Sequence, residues 1–180
     1  MAGEPASVAH QAMPKTAATR FGAVTAIGVF VADQLSKLWI LLVVRLEDTG
    51  PWPILPFMDF VMVWNRGISY GLFQQSSDVG RWALIALSIA ASVWLGLWLR
   101  RSARRVEALA LGLIIGGALG NVIDRIAYGA VADFVHLHWG SFSWYVFNIA
   151  DAAIVVGVAA LLYDSVASEW RKGSGQSASP

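Results

Sequence analysis

The sequence predicts a mostly α membrane protein, with four spanning helices and a small strand-bearing segment on one membrane surface. Three observations lead there. Hydrophobic residues make up 57% of the 180 residues and charged residues only 14%, against about 25% charged in ordinary soluble domains. The mean hydropathy is +0.58. Long apolar stretches alternate with short segments rich in proline, glycine, aromatic and β-branched residues. The length fits one domain.

Taken in order, residues 1–20 are polar and small, and are expected to form a disordered N-terminal extension. The first span is expected over Phe21–Val44. It is too long for the apolar core of a cleaved signal peptide and no small-residue cleavage site follows, so it reads as an uncleaved anchor. Residues 51–75 carry "PWPILPFMDFVMVWNRGISYGLF", which reads as short strands or a hairpin lying on the membrane. Further spans are expected over Trp82–Leu99, Val106–Ala127 and Ile149–Val166. Each covers most or all of a hydrocarbon core about 30 Å thick, at about 1.5 Å per residue. The membrane domain is thus 21–166, and residues 167–180, ending in "GSGQSASP", read as a disordered tail.

Lysine and arginine set the expected orientation. Lys15, Arg20, Arg100, Arg101, Arg104, Arg105, Arg171 and Lys172 all fall on one side, and Arg45, Arg66 and Arg81 on the other. Both termini are therefore expected in the cytoplasm, with residues 46–81 and 128–147 outside. Trp52, Trp64, Trp139, Trp144 and Tyr145 suit the interface. A formal net charge of +1 gives no electrostatic argument for nucleic acid. Cysteine is absent, which excludes disulfides, thiolate metal sites and cysteine nucleophiles.

Ionisable residues inside membrane spans are costly and point to function by default. Asp33, Ser36 and Lys37 in "DQLSK" share a helix face, with the acid four residues before the base. They make either a self-neutralising pair that pins helix packing or part of a site. Asn121, Asp124 and Arg125 in "GGALGNVIDR" also share a face, behind Gly112, Gly116 and Gly120 at the spacing of close helix approach. They make either a buried polar knot or a substrate contact. Asp133 lies in the second outer segment, while Asn148 and Asp151 lie one turn apart where the last span begins. One of these last two can cap the helix N-terminus. Capping does not account for Asp133 at the same surface.

Two carboxylates meeting at a water-poor boundary share a proton, because like charges close together do not both ionise readily. One then activates water, and the other polarises a carbonyl and serves the leaving amine. That is aspartic-protease logic. Other readings differ in what they require. Asp133, His136 and His138 give D-x-x-H-x-H, a thin basis for a metal, with no H-E-x-x-H and no second histidine-rich segment. Ser36, Ser69 and Ser141 lack a nucleophile-elbow context. A small carrier or proton relay would string its acids across the bilayer rather than gather them at one surface. A membrane scaffold would tolerate loss of either aspartate.

The ordered stretches "DQLSK", "NRGISYGLF", "GGALGNVIDR", "VADFVHLHW" and "FNIADAAIVVG" closely resemble the lipoprotein signal peptidases, or signal peptidase II, a family of bacterial membrane aspartic peptidases. The resemblance runs from about residue 30 to 160. It implies four membrane helices with an outer β-cradle and a short outer helix. It implies cleavage of diacylglyceryl-modified prolipoproteins just before the lipidated cysteine, at the outer face of the cytoplasmic membrane, without a cofactor. The catalytic aspartates fall on Asp133 and Asp151, and the pocket residues on Asn65, Gly67, Asn121, Arg125 and Asn148. Asp33, Lys37 and Asp124 fall on supporting positions. Prolipoproteins, membrane phospholipid and globomycin-type inhibitors are the implied partners. Ile68, Ser69 and Tyr70 depart from the family's usual residues.

Overall fold

The computed structural model describes residues 13–67 and 78–176. Helix α1 (Lys15–Leu38) continues as a π-helical turn over Trp39–Val44. The helix stops where Arg45 adopts a left-handed conformation, φ 54°. A one-turn helix α2 (Leu46–Thr49) and the strands β1 (Trp52–Leu55) and β2 (Met58–Asn65) follow. Then come α3 (Asp78–Leu99), α4 (Arg105–Tyr128), β3 (Val131–Trp139), β4 (Phe142–Ser143) and α5 (Ile149–Gln176). Among the described residues, four helical segments are long and apolar enough to cross a membrane: Lys15–Val44, Asp78–Leu99, Arg105–Tyr128 and Ile149–Ser168.

Helix α4 is the centre of the bundle, packed on α1, α3 and α5. Its small residues set the distance. A Cβ on Gly112 would collide with the Gly22 carbonyl oxygen, and one on Gly116 with that of Ala26, both on α1. Gly117 faces the Ala150 carbonyl of α5 in the same way. Gly112 and Gly116, counted in the sequence, thus bring the α1 backbone against α4, and Gly117, which was not, does the same for α5, which is small-residue packing in lipid. Large apolar side chains such as Val24, Leu42, Leu87, Trp94, Val155 and Leu162 remain exposed on the outer faces, as lipid contact requires.

The strands form one antiparallel order, β1-β2-β3-β4. Val63 pairs with Asp133 and Asn65 with Val131, and an irregularity interrupts the β2–β3 register between Phe60 and Val63. The strands expected from the sequence in residues 51–75 are therefore present as β1 and β2, and the segment after α4 supplies β3 as their partner. Ile40, Leu46 and Phe134 bury together, packing the sheet against the end of the first span. Helix α4 stops at Gly129, whose φ of 76° suits glycine at a helix C-terminus.

Both ends of the membrane domain differ from expectation. Helix α1 begins at Lys15, inside the segment expected to be disordered. Its start is tied down: Met13 N–H donates to the Ala103 carbonyl at 2.8 Å, and Ala18 is buried against Leu95, Leu99, Ala108 and Leu111. Helix α5 continues to Gln176, beyond the expected end of the span. Composition reported polarity there, and polarity does not stop a helix already nucleated in the membrane. Residues 1–12 and 177–180, and the motif residues Ile68–Phe73, lie outside the described residues.

Candidate active site

Asp133 and Asp151 reach one place by a short antiparallel return. After β4 the chain runs back along β3, and Phe147 exchanges backbone hydrogen bonds with Val135 at 2.8 and 3.0 Å. The next residue, Asn148, is fully buried beside Asp133 and donates to its Oδ1 at 2.6 Å. Helix α5 then begins. Asn148 Oδ1 accepts the Asp151 N–H at 2.9 Å, and Asp151 Oδ2 accepts the Asn148 N–H at 3.4 Å. This is a reciprocal capping box. Capping thus uses Asn148 and Asp151 together, and it leaves Asp151 Oδ1 to accept from Asn121 Nδ2 at 2.9 Å.

Asn65 completes the surroundings of Asp133. It sits diagonally across from it on β2, within reach of a side-chain contact, and donates to Asp133 Oδ2 at 3.0 Å. Its own Oδ1 accepts the Gly67 N–H at 3.0 Å. Arg125 Nη2 donates to the Gly67 carbonyl at 3.1 Å, so Gly67 is held from both sides. A cavity of about 300 Å³ opens here. Asn65, Gly67, Asn121, Arg125, Tyr145 and Asp151 line it together with apolar residues of α3 and α5, among them Leu84, Leu87 and Ile154. Arg125 Nε is buried with no hydrogen-bond partner among the described residues.

Asp133 is only 1% exposed. Burial pushes its carboxyl up to about 7, and the charge of Asp151 adds to the rise. The amides of Asn65 and Asn148 and the charge of Lys37 act the other way. A raised carboxyl next to a second acid is an arrangement in which one proton can be shared between the two.

Behind Asp133 and Asp151 lies a second polar layer. Lys37 Nζ bonds Asp33 Oδ2 at 2.8 Å and Asp124 Oδ2 at 2.7 Å, with all three side chains buried. It also donates to Asn121 Oδ1 at 3.1 Å, which links this layer to the Asp151 contact. Asp33 Oδ1 accepts the Ala150 N–H of α5 at 2.9 Å, and Asp124 Oδ2 accepts the Ala132 N–H of β3 at 3.1 Å. These two acids therefore fix the backbones on either side of Asp133 and Asp151. Gly120 leaves room for Asp33, whose carboxylate an added Cβ would meet. Of the two readings open for "DQLSK" and "GNVIDR", Asp33, Lys37 and Asp124 follow the structural one, whereas Asn121 and Arg125 face the cavity.

Sequence reasoning missed Gln34. Its Nε2 lies 3.1–3.2 Å from Asp33, the Gly120 carbonyl and Asp124. The signal was present, since an amide beside Asp33 on a spanning helix needs a partner. Ser36 only returns its hydroxyl to the Asp33 carbonyl at 2.7 Å. The D-x-x-H-x-H pattern does not assemble. His136 and His138 stack with their ring centroids 5.4 Å apart, on Asp59 rather than Asp133.

The polar network also bears on the relay reading. Asp33, Lys37, Asp124, Asp133 and Asp151 gather at one end of the bundle. The nearest acid toward the other end of α4 is Glu107, fourteen residues from Asn121 (121 − 107). That is about 21 Å of helix at 1.5 Å per residue. The intervening α4 residues, 108–120, are all apolar or glycine, so α4 carries no acid over that stretch.

The chain is similar to known proteins over most of its length. A family described as signal peptidase (SPase) II matches residues 25–167. A lipoprotein signal peptidase of Methylorubrum extorquens (strain PA1) is 58% identical over 149 residues, 83% of this chain and 87% of that one. One from Methylobacterium radiotolerans is 57% identical over 153 residues, 85% of this chain and 90% of its own. A solved bacterial membrane enzyme has the same fold, with a TM-score of 0.72 at 23% identity, covering 84% of this chain and 90% of that one. The five motifs that carried the resemblance all lie within this match, and the chain belongs to the signal peptidase II family of aspartic peptidases.

Proposed function

We propose that this chain removes signal peptides from diacylglyceryl-modified prolipoproteins, cutting just before the lipidated cysteine through Asp133, Asp151 and a water. One observation carries the catalytic assignment. Asn148 is hydrogen-bonded to both carboxylates, at 2.6 Å to Asp133 and 3.4 Å to Asp151, beside a cavity open to α3 and α5.

The chemistry follows from the two environments. Asp133, pushed up by burial, carries the dyad's proton and donates it to the scissile carbonyl oxygen. Asp151, held by the Asn121 amide, takes a proton from the attacking water. The resulting tetrahedral diol collapses as Asp151 gives that proton to the leaving cysteine nitrogen and Asp133 recovers its own. Arg125 and Gly67 lie along the cavity wall, where a guanidinium N–H and a backbone held at both ends can register an extended peptide. Asn65 and Asn148 orient Asp133. Asp33, Lys37 and Asp124 support the scaffold.

The depth of the dyad suits a substrate that remains half in lipid. Its acyl chains and signal helix stay in the bilayer, where each buried CH₂ contributes about 0.8 kcal/mol, while the cleavage site reaches the headgroups. We place the protein in the bacterial cytoplasmic membrane with both termini inside and the dyad at the outer leaflet. A reporter fused after Lys172 should then be active only in the cytoplasm. Residues 21–166 form the peptidase domain in this reading, with the described ends 13–20 and 167–176 extending its first and last helices. Membrane phospholipid surrounds the enzyme, and a globomycin-type cyclic lipopeptide blocks it by occupying the dyad and its asparagines.

The test is direct. Purified protein is incubated with diacylglyceryl-modified prolipoprotein and with the unlipidated precursor. The shortened product is expected from the lipidated form, with the unlipidated form a poor substrate. Equal cleavage of the two would remove the depth argument, and no cleavage of either would remove the function.

A further inference from the structure

The end of the bundle remote from the dyad carries a second built feature. The turn between α3 and α4 contains Arg100, Arg101 and Arg104, and Arg105 opens α4. Two of these are committed internally. Arg104 bonds the buried Asp164 of α5 at 2.8 Å and Glu107 at 3.3 Å, and Arg105 lies over the Phe21 ring at 5.2 Å. Arg100 and Arg101 are exposed, and no carboxylate pairs with either among the described residues.

The turn that presents them is fixed. Glu107 accepts from Ser102 Oγ at 2.6 Å and from Trp98 Nε1 at 2.8 Å, and Ser102 is itself buried. Trp94 packs on Trp98 with ring centroids 5.6 Å apart, and its own indole N–H has no partner among the described residues. Trp94, Leu97, Trp98 and Arg101 line a cavity of about 270 Å³ on the lipid-facing side. A charge bias that merely orients the chain needs only cations in a loose turn. Here a rigid turn sets a free guanidinium at the mouth of an aromatic cleft.

We propose that this turn binds one anionic phospholipid, with the phosphodiester on Arg100 and Arg101 and an acyl chain along Trp94, Leu97 and Trp98. Guanidinium matches phosphate oxygens in a bidentate fork, and basic pockets on spanning helices are known to take such headgroups. The site lies at the opposite end of α4 from the dyad and does not depend on the catalytic assignment.

The test uses the full chain in nanodiscs of phosphatidylcholine doped with phosphatidylglycerol, with retained lipid counted by native mass spectrometry. Wild type should retain phosphatidylglycerol in preference to phosphatidylcholine. Arg101→Gln should lower that preference about fivefold, the scale of one basic side chain at a membrane surface. Trp94→Leu should lower it too, Arg45→Gln at the other end should not, and all should cleave substrate as wild type does. Four outcomes would overturn the site: no lipid preference in wild type, unchanged retention in Arg101→Gln, an equal loss in Arg45→Gln, or displacement of the lipid by soluble glycerophosphate, which would assign the arginines to a free phosphate.

Discussion

Asn148 and Asp151 hold each other at the start of α5: the asparagine Oδ1 accepts the Asp151 N–H at 2.9 Å, and the Asp151 carboxylate reaches back to the Asn148 N–H at 3.4 Å. The Asn148 amide meanwhile donates to Asp133 at 2.6 Å. One side chain thus sets the helix start and the spacing of the two acids. Asn148→Ala removes both. Losing the cap should cost about 1 kcal/mol of stability. Losing the amide donor that orients the protonated Asp133, worth roughly 0.5–1.5 kcal/mol, should lower kcat by about two- to tenfold. Thermal unfolding in detergent and single-turnover cleavage measure the two effects separately. A variant as active as wild type would show that Asn148 serves the helix alone.

The pH dependence follows from Asp133. Its carboxyl is pushed up to about 7 by burial and by Asp151. In the proposed mechanism the protonated form donates to the scissile carbonyl, so cleavage should decline as pH rises through about 7. The same shift has a sign for stability. The folded state holds this proton where the unfolded chain, near 3.8, has released it. The contribution of Asp133 to stability is therefore full below the unfolded value and is lost as pH rises toward 7. Rates between pH 5 and 9, taken with lipid and substrate fixed, check the first statement. A rate that keeps climbing above pH 8 would place the proton elsewhere.

Lys37 stands between two buried acids, at 2.8 Å from Asp33 and 2.7 Å from Asp124. Lys37→Met leaves both carboxylates without their cation. Breaking a buried pair in this way costs about 3–5 kcal/mol, so the yield of folded protein should fall sharply. Asp124→Asn should also lower yield, while the molecules that do fold keep some activity. Folded yield by size exclusion, with turnover normalised to it, separates the two. Full yield of Lys37→Met would move Lys37 from support to chemistry.

Much of this was legible in the chain. The spans showed because lipid imposes a long apolar run, and Gly112 and Gly116 showed because close helices require small residues. Asp133 and Asp151 showed because acids at a membrane surface demand a reason. Their meeting was not legible. It depends on the Val135–Phe147 pairing, a register that residue types alone do not fix. Gln34 was passed over because an uncharged amide looks harmless beside Asp33 and Lys37. The early start of α1 was hidden because the contacts that order it, Met13 to Ala103 and Ala18 to Leu95, are tertiary.

Whether Asp133 and Asp151 act as one catalytic unit is decided by turnover per folded molecule. Asp133→Asn, Asp151→Asn, the double variant and Asp124→Asn are compared in liposomes with lipidated prolipoprotein. Each single dyad variant should abolish cleavage without lowering the amount of folded protein. The double variant should lose little more than either single, because members of one unit are strongly non-additive. Asp124→Asn should instead lose yield and keep some specific activity. Full turnover in Asp133→Asn, with none in a well-folded Asp124→Asn, would contradict the assignment and make Asp124 the partner of Asp151.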